Sequence, residues 1–291
     1  MRSYHDIQGD GGSAVAEQVA AQRERIRTNL AGVRFRVAVS SGKGGVGKST
    51  LTHQLASALA ETGCAVAVLD ADFNGPTQAR LAGLGETALV PGRGGSLALP
   101  RSPAGFGVVS LGSLVAAGES LEFASVASGD SHTWRATREF ALLAELLASV
   151  EWGRLDVLLI DLPPGAERSF QFAEFLGPQT AFVVVGLPSA LAGEVVARSV
   201  AALARTPNRI VGYVENMSGY HCDGCATVRP LFPESEAGPA GIPCLGRIPF
   251  DHELARLCDR GERWDASASR PSVIALRETA RRLWSTLESQ T

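Results

Sequence analysis

Nowhere does this sequence string together the roughly 20 apolar residues needed to cross a bilayer, so no membrane-spanning segment is expected. Met1–Gly12 is polar and glycine-rich and lacks the apolar core of a signal peptide, so a cytoplasmic protein is expected. The excess of charge of either sign is small too, with 27 basic against 30 acidic residues. A net charge of −3 gives no electrostatic reason for general affinity to nucleic acid or membranes. Cysteine is scarce and unevenly spaced, five in 291 residues, which excludes a disulfide framework. Cys64, Cys244 and Cys258 each stand alone among apolar neighbours and read as small buried hydrophobes. The scarcest charged residue is lysine: of 27 basic residues only two, Lys43 and Lys48, are not arginine.

Both lysines fall in one glycine-rich stretch, Gly42-Lys43-Gly44-Gly45-Val46-Gly47-Lys48-Ser49, which fits the phosphate-binding pattern G-x-x-x-x-G-K-[ST]. A chain that uses arginine everywhere else has kept lysine where backbone amides must crowd around phosphates. A compact ammonium fits there and a planar guanidinium does not. The context agrees. A short buried strand over Phe35–Ser40 precedes the loop, a helical pattern over Lys48–Glu61 follows it, and Ala65–Asp70 is the next strand.

Further strands are predicted at Gly107–Leu111, Asp156–Asp161, Ala181–Gly186, Arg209–Val214 and Leu245–Ile248. Helices are predicted at 13–31, Trp134–Val150, Glu167–Leu176, Ala190–Ala204, Asp251–Asp259 and Ser272–Leu287. Leu84–Ala104, rich in Gly, Pro and small residues, reads as a loop or hairpin insertion. The alternation implies an α/β fold. It is a single P-loop NTPase domain with a doubly wound, mostly parallel sheet, helices on both faces and ligands at the strands' carboxyl ends. Residues 1–34 are expected to be a disordered segment and a helix, and residues 35–291 the ATPase domain.

In such a loop, successive amides from Gly42 to Thr50 would wrap the phosphates of ATP, Lys48 would reach the β- and γ-phosphates, and the Ser49 hydroxyl would ligate Mg²⁺. Asp161 ends the apolar run Val157–Ile160, where a carboxylate can hold a magnesium-bound water. Asp70 and Asp72 lie two apart on an extended segment and so are expected to face the same side. Asp70 would sit nearer the metal, with Asp72 polarising the attacking water.

The loop Ser41–Thr50 resembles the deviant Walker A of the MinD/ParA/nitrogenase iron protein class. Three further segments match the Mrp/ApbC family of iron–sulfur cluster carrier ATPases. They are Asp70-Ala71-Asp72-Phe73-Asn74-Gly75-Pro76, the stretch from Glu151-Trp152-Gly153 to Asp161-Leu162-Pro163-Pro164-Gly165, and Val214-Glu215-Asn216-Met217-Ser218 followed by Cys222-x-x-Cys225. The resemblance runs over about residues 35 to 285 in the expected order. It implies that Lys43 contacts nucleotide across a homodimer interface, that Asn216 contacts the adenine, and that Arg247–Phe250 packs near the base. The chain departs from the family at Ala166-Glu167-Arg168, where relatives continue Thr-Gly-Asp and sense the γ-phosphate. Slow or differently gated hydrolysis is expected from that change, and the chain departs again at Trp134-Arg135-Ala136-Thr137.

Cys222-Asp223-Gly224-Cys225 is placed in a polar loop, 219–235, beside His221, which reads as a bystander. Two thiolates can grip one metal centre, but iron–sulfur clusters and structural zinc usually take four ligands. A symmetric homodimer would supply four around its two-fold axis, and the resemblance favours a bridging, transferable cluster, expected to be 4Fe-4S. Zinc on the same thiolates, a redox dithiol and an inert pair stay open. The expected function is therefore an ATP-hydrolysing iron–sulfur carrier that delivers to recipient apoproteins. A MinD/ParA-like positioning ATPase or a weakly hydrolysing scaffold are the other readings. Arg277–Arg282 with Leu276, Leu283 and Trp284 could imitate a membrane tail but reads as a core helix with a basic outer face.

Overall fold

The computed structural model describes residues 15–85, 91–92, 95–111, 132–233, 241–265 and 268–289. The expected disorder of residues 1–12 and part of the insertion at 84–104 lie outside them. The elements in chain order are α1 (Val15–Asn29), β1 (Val33–Ser41), α2 (Lys48–Glu61), β2 (Val66–Asp70), α3 (Gln78–Leu81), β3 (Gly107–Val109), α4 (His132–Ser149) and β4 (Leu155–Asp161). They continue with α5 (Ala166–Leu176), β5 (Thr180–Gly186), α6 (Ala190–Leu203), β6 (Ile210–Cys222), β7 (Thr227–Arg229), β8 (Cys244–Phe250), α7 (His252–Arg260) and α8 (Pro271–Glu288).

One sheet runs β3-β2-β4-β1-β5-β6, all parallel, with β8 parallel to β6 and β7 antiparallel to it. Strands covered on both faces need apolar side chains on both. This is why Val157–Ile160 and Phe182–Val185 are continuous buried apolar runs and not alternating ones. Successive residues of β1 feed opposite cores. Val37 and Val39 pack with Leu51 and Leu55 of α2 and Leu276 and Leu283 of α8, whereas Ala38 joins Leu143 of α4 and Phe172 of α5. The N-terminal helix α1 lies on α4, tied by Asn29, whose amide donates to the Leu147 and Val150 carbonyls at 2.8 Å each.

The expected strands and helices are present, with two shortfalls. The four-residue α3 and the ribbon β6–β7 were not read from the sequence. β6 was expected to stop at Val214, the last residue of its apolar run. It continues to Cys222 because Glu215, Asn216 and Tyr220 still have backbone partners on β8, and Tyr220, His221 and Cys222 on β7. A register break at Met217, whose φ is +53°, hides this extension from any period-2 pattern. The segment expected as a loop from 219 is thus largely an antiparallel hairpin, and Arg247–Phe250 completes β8. In α8 the apolar face is spent on the core, Arg277 pairs with Glu61, and Arg281 and Arg282 pair with Glu278. Among the described residues no helix is long and apolar enough to cross a membrane.

Candidate nucleotide site and cysteine hairpin

The glycine loop leaves the carboxyl end of β1 at the centre of the sheet and turns into α2. Gly45 and Gly47 both have φ of +78°, a left-handed conformation that side-chain-bearing residues rarely adopt. Gly47 is doubly constrained, since a Cβ there would meet the Asn216 amide nitrogen at 2.4 Å. Val46 is buried in the core and pins the loop from beneath. The result is a cavity of about 340 Å³ lined by residues 43–50 together with Asp72, Thr77 and Pro164. The two lysines separate here: Lys43 is exposed at the cavity, whereas Lys48 is buried.

Lys48 Nζ lies 2.5 Å from Asp161 Oδ1 and donates to Ser49 Oγ at 3.2 Å. The Thr52 hydroxyl donates to the same carboxylate oxygen at 3.3 Å, and Gln78 Nε2 donates to the other at 2.9 Å. Lys48 therefore bridges Ser49 and Asp161. The meeting of Ser49 and Asp161 oxygens is a hard-donor set of the kind Mg²⁺ takes, and Gln78 Oε1 beside them is a buried acceptor without a partner among the described residues.

Asp70 is corrected. β2 ends at Asp70, so the two aspartates do not share an extended segment, and only Asp72 lines the cavity. The Asp70 carboxylate is fully buried and accepts from the amides of Asp72, Thr77 and Gln78 and from the Ser110 hydroxyl at 2.8–3.2 Å. Burial first, and then the Asp161 carboxylate across the strand pair, raise its pKa well above the usual carboxylate range. It serves as a clamp for the loop after β2, with three donors on Oδ2 and the Asp72 amide on Oδ1. Burial also raises Asp72, against the opposing pull of Lys48. Asn216 is engaged with the loop itself, donating to the Val46 carbonyl at 2.8 Å.

The departure at Ala166-Glu167-Arg168 has a structural counterpart. Arg168 pairs with the buried Glu139 and lies over the Phe172 ring at 5.1 Å. Glu139 in turn accepts from Asn74 at 2.9 Å. The segment after β4 and the loop after β2 are thus joined through α4. The side chains of Trp134–Thr137 lie outside the described residues.

Cys222 ends β6, and Cys225 lies in the turn leading to β7, so the pair occupies the tip of a two-stranded ribbon. Cys222 is half-buried and Cys225 exposed. The Thr227 hydroxyl, 3.0 Å from its sulfur, and then Cys222 lower the Cys225 thiol below its ordinary pKa, towards the thiolate that binds metals. His221 is buried, with Nδ1 3.0 Å from Arg270. Arg270 also donates to Asp223 at 2.6 Å and to both oxygens of Asp251, which caps α7. The ribbon is therefore fastened to α7 and α8 by a guanidinium that sequence spacing gave no means of placing. Of the other cysteines, Cys258 is buried, accepts from Gln54 and borders the nucleotide cavity, while Cys64 and Cys244 are partly exposed. Among the described residues no three His, Cys, Asp or Glu side chains cluster as a metal site.

A parallel sheet with a left-handed glycine loop, a buried lysine–aspartate pair and a serine at the helix start defines a P-loop NTPase. Residues 32–284 match the ParA-group family described as NUBPL iron-transfer P-loop NTPase, and the chain belongs to it. Among curated relatives it is 32% identical to an iron-sulfur cluster carrier protein of Saccharolobus solfataricus, over 85% of this chain and 82% of that one. It is 36% identical to the cytosolic Fe-S cluster assembly factor cfd1 of Neurospora crassa, over 81% and 80%. A nucleotide-binding protein of Archaeoglobus fulgidus, solved in complex with ADP and containing cobalt, superposes with a TM-score of 0.70. Its identity is 32%, and 86% of this chain and 95% of that one are covered. The MinD cell division protein of Aquifex aeolicus shares the fold, with a TM-score of 0.57 and 24% identity over 86% and 96%.

Proposed function

We propose that this protein is an ATP-hydrolysing iron–sulfur cluster carrier of the cytoplasm, acting as a homodimer that delivers its cargo to recipient apoproteins. The carrying observation is the pairing of a complete phosphate loop with half a metal site. Cys222 and Cys225 offer two thiolates per chain where a cluster takes four, so a second copy is the economical source of the rest. The relatives named as carriers and assembly factors favour the same cargo, with 4Fe-4S as the expected form.

At the nucleotide, amides of Gly42–Thr50 would hold the phosphates, with Lys48 leaving Asp161 to neutralise the β- and γ-oxygens. Mg²⁺ would be held by Ser49 and Asp161 and would supply charge neutralisation. Asp72, facing the cavity, would orient the attacking water. Lys43, exposed at the cavity, is free to reach nucleotide in a partner subunit. The Arg168–Glu139–Asn74 connection restrains both loops that flank the γ-phosphate position, which fits slow hydrolysis.

Anaerobic reconstitution with iron and sulfide tests the reading, comparing the wild type with a Cys222→Ala/Cys225→Ala double variant by visible absorption, metal content and oligomer mass. About one cluster per dimer, absent from the variant, supports it. Equal, weak iron uptake by both proteins overturns it and turns attention to zinc or to a positioning ATPase.

A further inference from the structure

We infer that Gln78 is a positioning residue for the magnesium end of the nucleotide site, holding Ser49 and Asp161 in register with each other. The inference deepens the MgATP reading and rests on it. Gln78 opens α3, directly after the loop that follows β2, and is completely buried. Its Nε2 donates to the Ser49 carbonyl and to Asp161 Oδ2, both at 2.9 Å. Its backbone amide donates to Asp70 Oδ2 at 3.0 Å. One residue therefore joins the start of α2 and the end of β4 through its side chain, and the clamp that shapes the loop after β2 through its backbone.

The amide can face only one way. Reversed, its oxygen would point at a carbonyl and a carboxylate, three acceptors together. In the orientation present, Oε1 is buried and has no donor among the described residues, an unfavourable state that a water brought in with the nucleotide can relieve. The division of labour on Asp161 is the second observation. Oδ1 takes Lys48 and Thr52, while Oδ2 takes Gln78. When Lys48 turns to the phosphates, Oδ1 loses its strongest partner, and the Gln78 bond to Oδ2 keeps the carboxylate from rotating away. Gln78 thus fixes one oxygen so that the other stays presented beside Ser49.

The test compares wild type, Gln78→Met (similar shape, no hydrogen bonds) and Gln78→Glu (similar shape, a carboxylate against a carboxylate). A fluorescent ATP analogue is titrated in EDTA and then at increasing Mg²⁺, with thermal melting of the nucleotide-free proteins alongside. Partners of metal ligands typically alter metal affinity by 10- to 100-fold, so the Mg²⁺ needed for half-maximal binding should rise about tenfold in Gln78→Met and further in Gln78→Glu. Affinity in EDTA should stay within about twofold, a split that general loosening of the fold would not produce. Magnesium dependence identical to wild type in a folded variant overturns the inference and leaves the MgATP reading intact. If wild type itself binds nucleotide without regard to Mg²⁺, the MgATP reading fails and the inference with it. Should Gln78→Met not fold, the same comparison is read from Gln78→Glu.

Discussion

Lys48, Asp161 and Asp70 are buried and hydrogen-bonded within one chain, whereas Cys225 is exposed and Cys222 half-buried at the tip of a two-stranded ribbon. The first region is made by the middle of a sheet, where both faces are covered and backbone and side chains leave little freedom. The second is made at its edge, where a hairpin of this size is marginal without support and here depends on Arg270. The difference concerns what each region lacks. On the proposed function, one chain supplies the whole phosphate loop but only two of the four thiolates that a cluster takes. A site that is to give up its cargo is better placed at an edge than in a core.

The largest effect that sharpens this contrast comes from the two lysines of the same loop. Lys48→Ala removes the partner of a buried carboxylate and should destabilise the nucleotide-free protein by about 3 kcal/mol, near the lower end for breaking a buried pair because Thr52 and Gln78 still hold Asp161. Lys43→Ala, at an exposed position, should change stability by less than about 0.5 kcal/mol. Urea unfolding of both variants without nucleotide measures this, and equal losses would mean the loop is not preformed as described.

The lysine contrast also bears on how much could be read from sequence. The loop and the sheet were legible because local signals agreed: a strand, a glycine-rich turn and a helix start in fixed order. Asp70 was misplaced because whether a carboxylate faces a cavity or its own loop depends on where the strand ends, and apolar pattern does not mark that. Gln78, Arg168 and Arg270 were invisible because their partners are 29 to 83, 29 and 19 to 49 residues away. Spacing within a motif carries no information about such contacts.

Acid should strike the nucleotide half next. His53, on α2 behind the loop, is buried against Phe106 at 5.2 Å, with Nδ1 unpartnered among the described residues. Burial pushes its pKa from 6.5 down to about 4. The folded protein keeps it neutral while the unfolded chain takes up a proton below 6.5. Its contribution is therefore intact above pH 6.5 and lost as pH falls from there towards 4, by about 3 kcal/mol in all. Unfolding free energies at pH 7.5 and 4.5 should converge for His53→Leu relative to wild type, and an unchanged acid slope would remove His53 as the cause.

At the edge, Arg270→Gln should cost about 2 kcal/mol, since Asp251 is buried but retains Ser272 and the amides it caps. The more telling readout is the ribbon. Amide exchange at 220–229 should accelerate strongly while exchange in α2 stays as in wild type. Uniform acceleration of both would mean that the two regions unfold as one unit and the contrast drawn above is too sharp.

The smallest effect asks whether the regions communicate. Asn216 touches the Val46 carbonyl, and the same strand ends at Cys222 after the break at Met217. Asn216→Ala loses one neutral hydrogen bond, about 1 kcal/mol of stability. If β6 carries loop conformation to the hairpin, ATP should change Cys225 thiol reactivity in the wild type, and the variant should weaken that change. The reactivity without nucleotide should stay the same. An undiminished response in the variant would assign the coupling to α7 instead. That helix runs from Asp251, held by Arg270 at the ribbon's anchor, to Cys258 at the cavity.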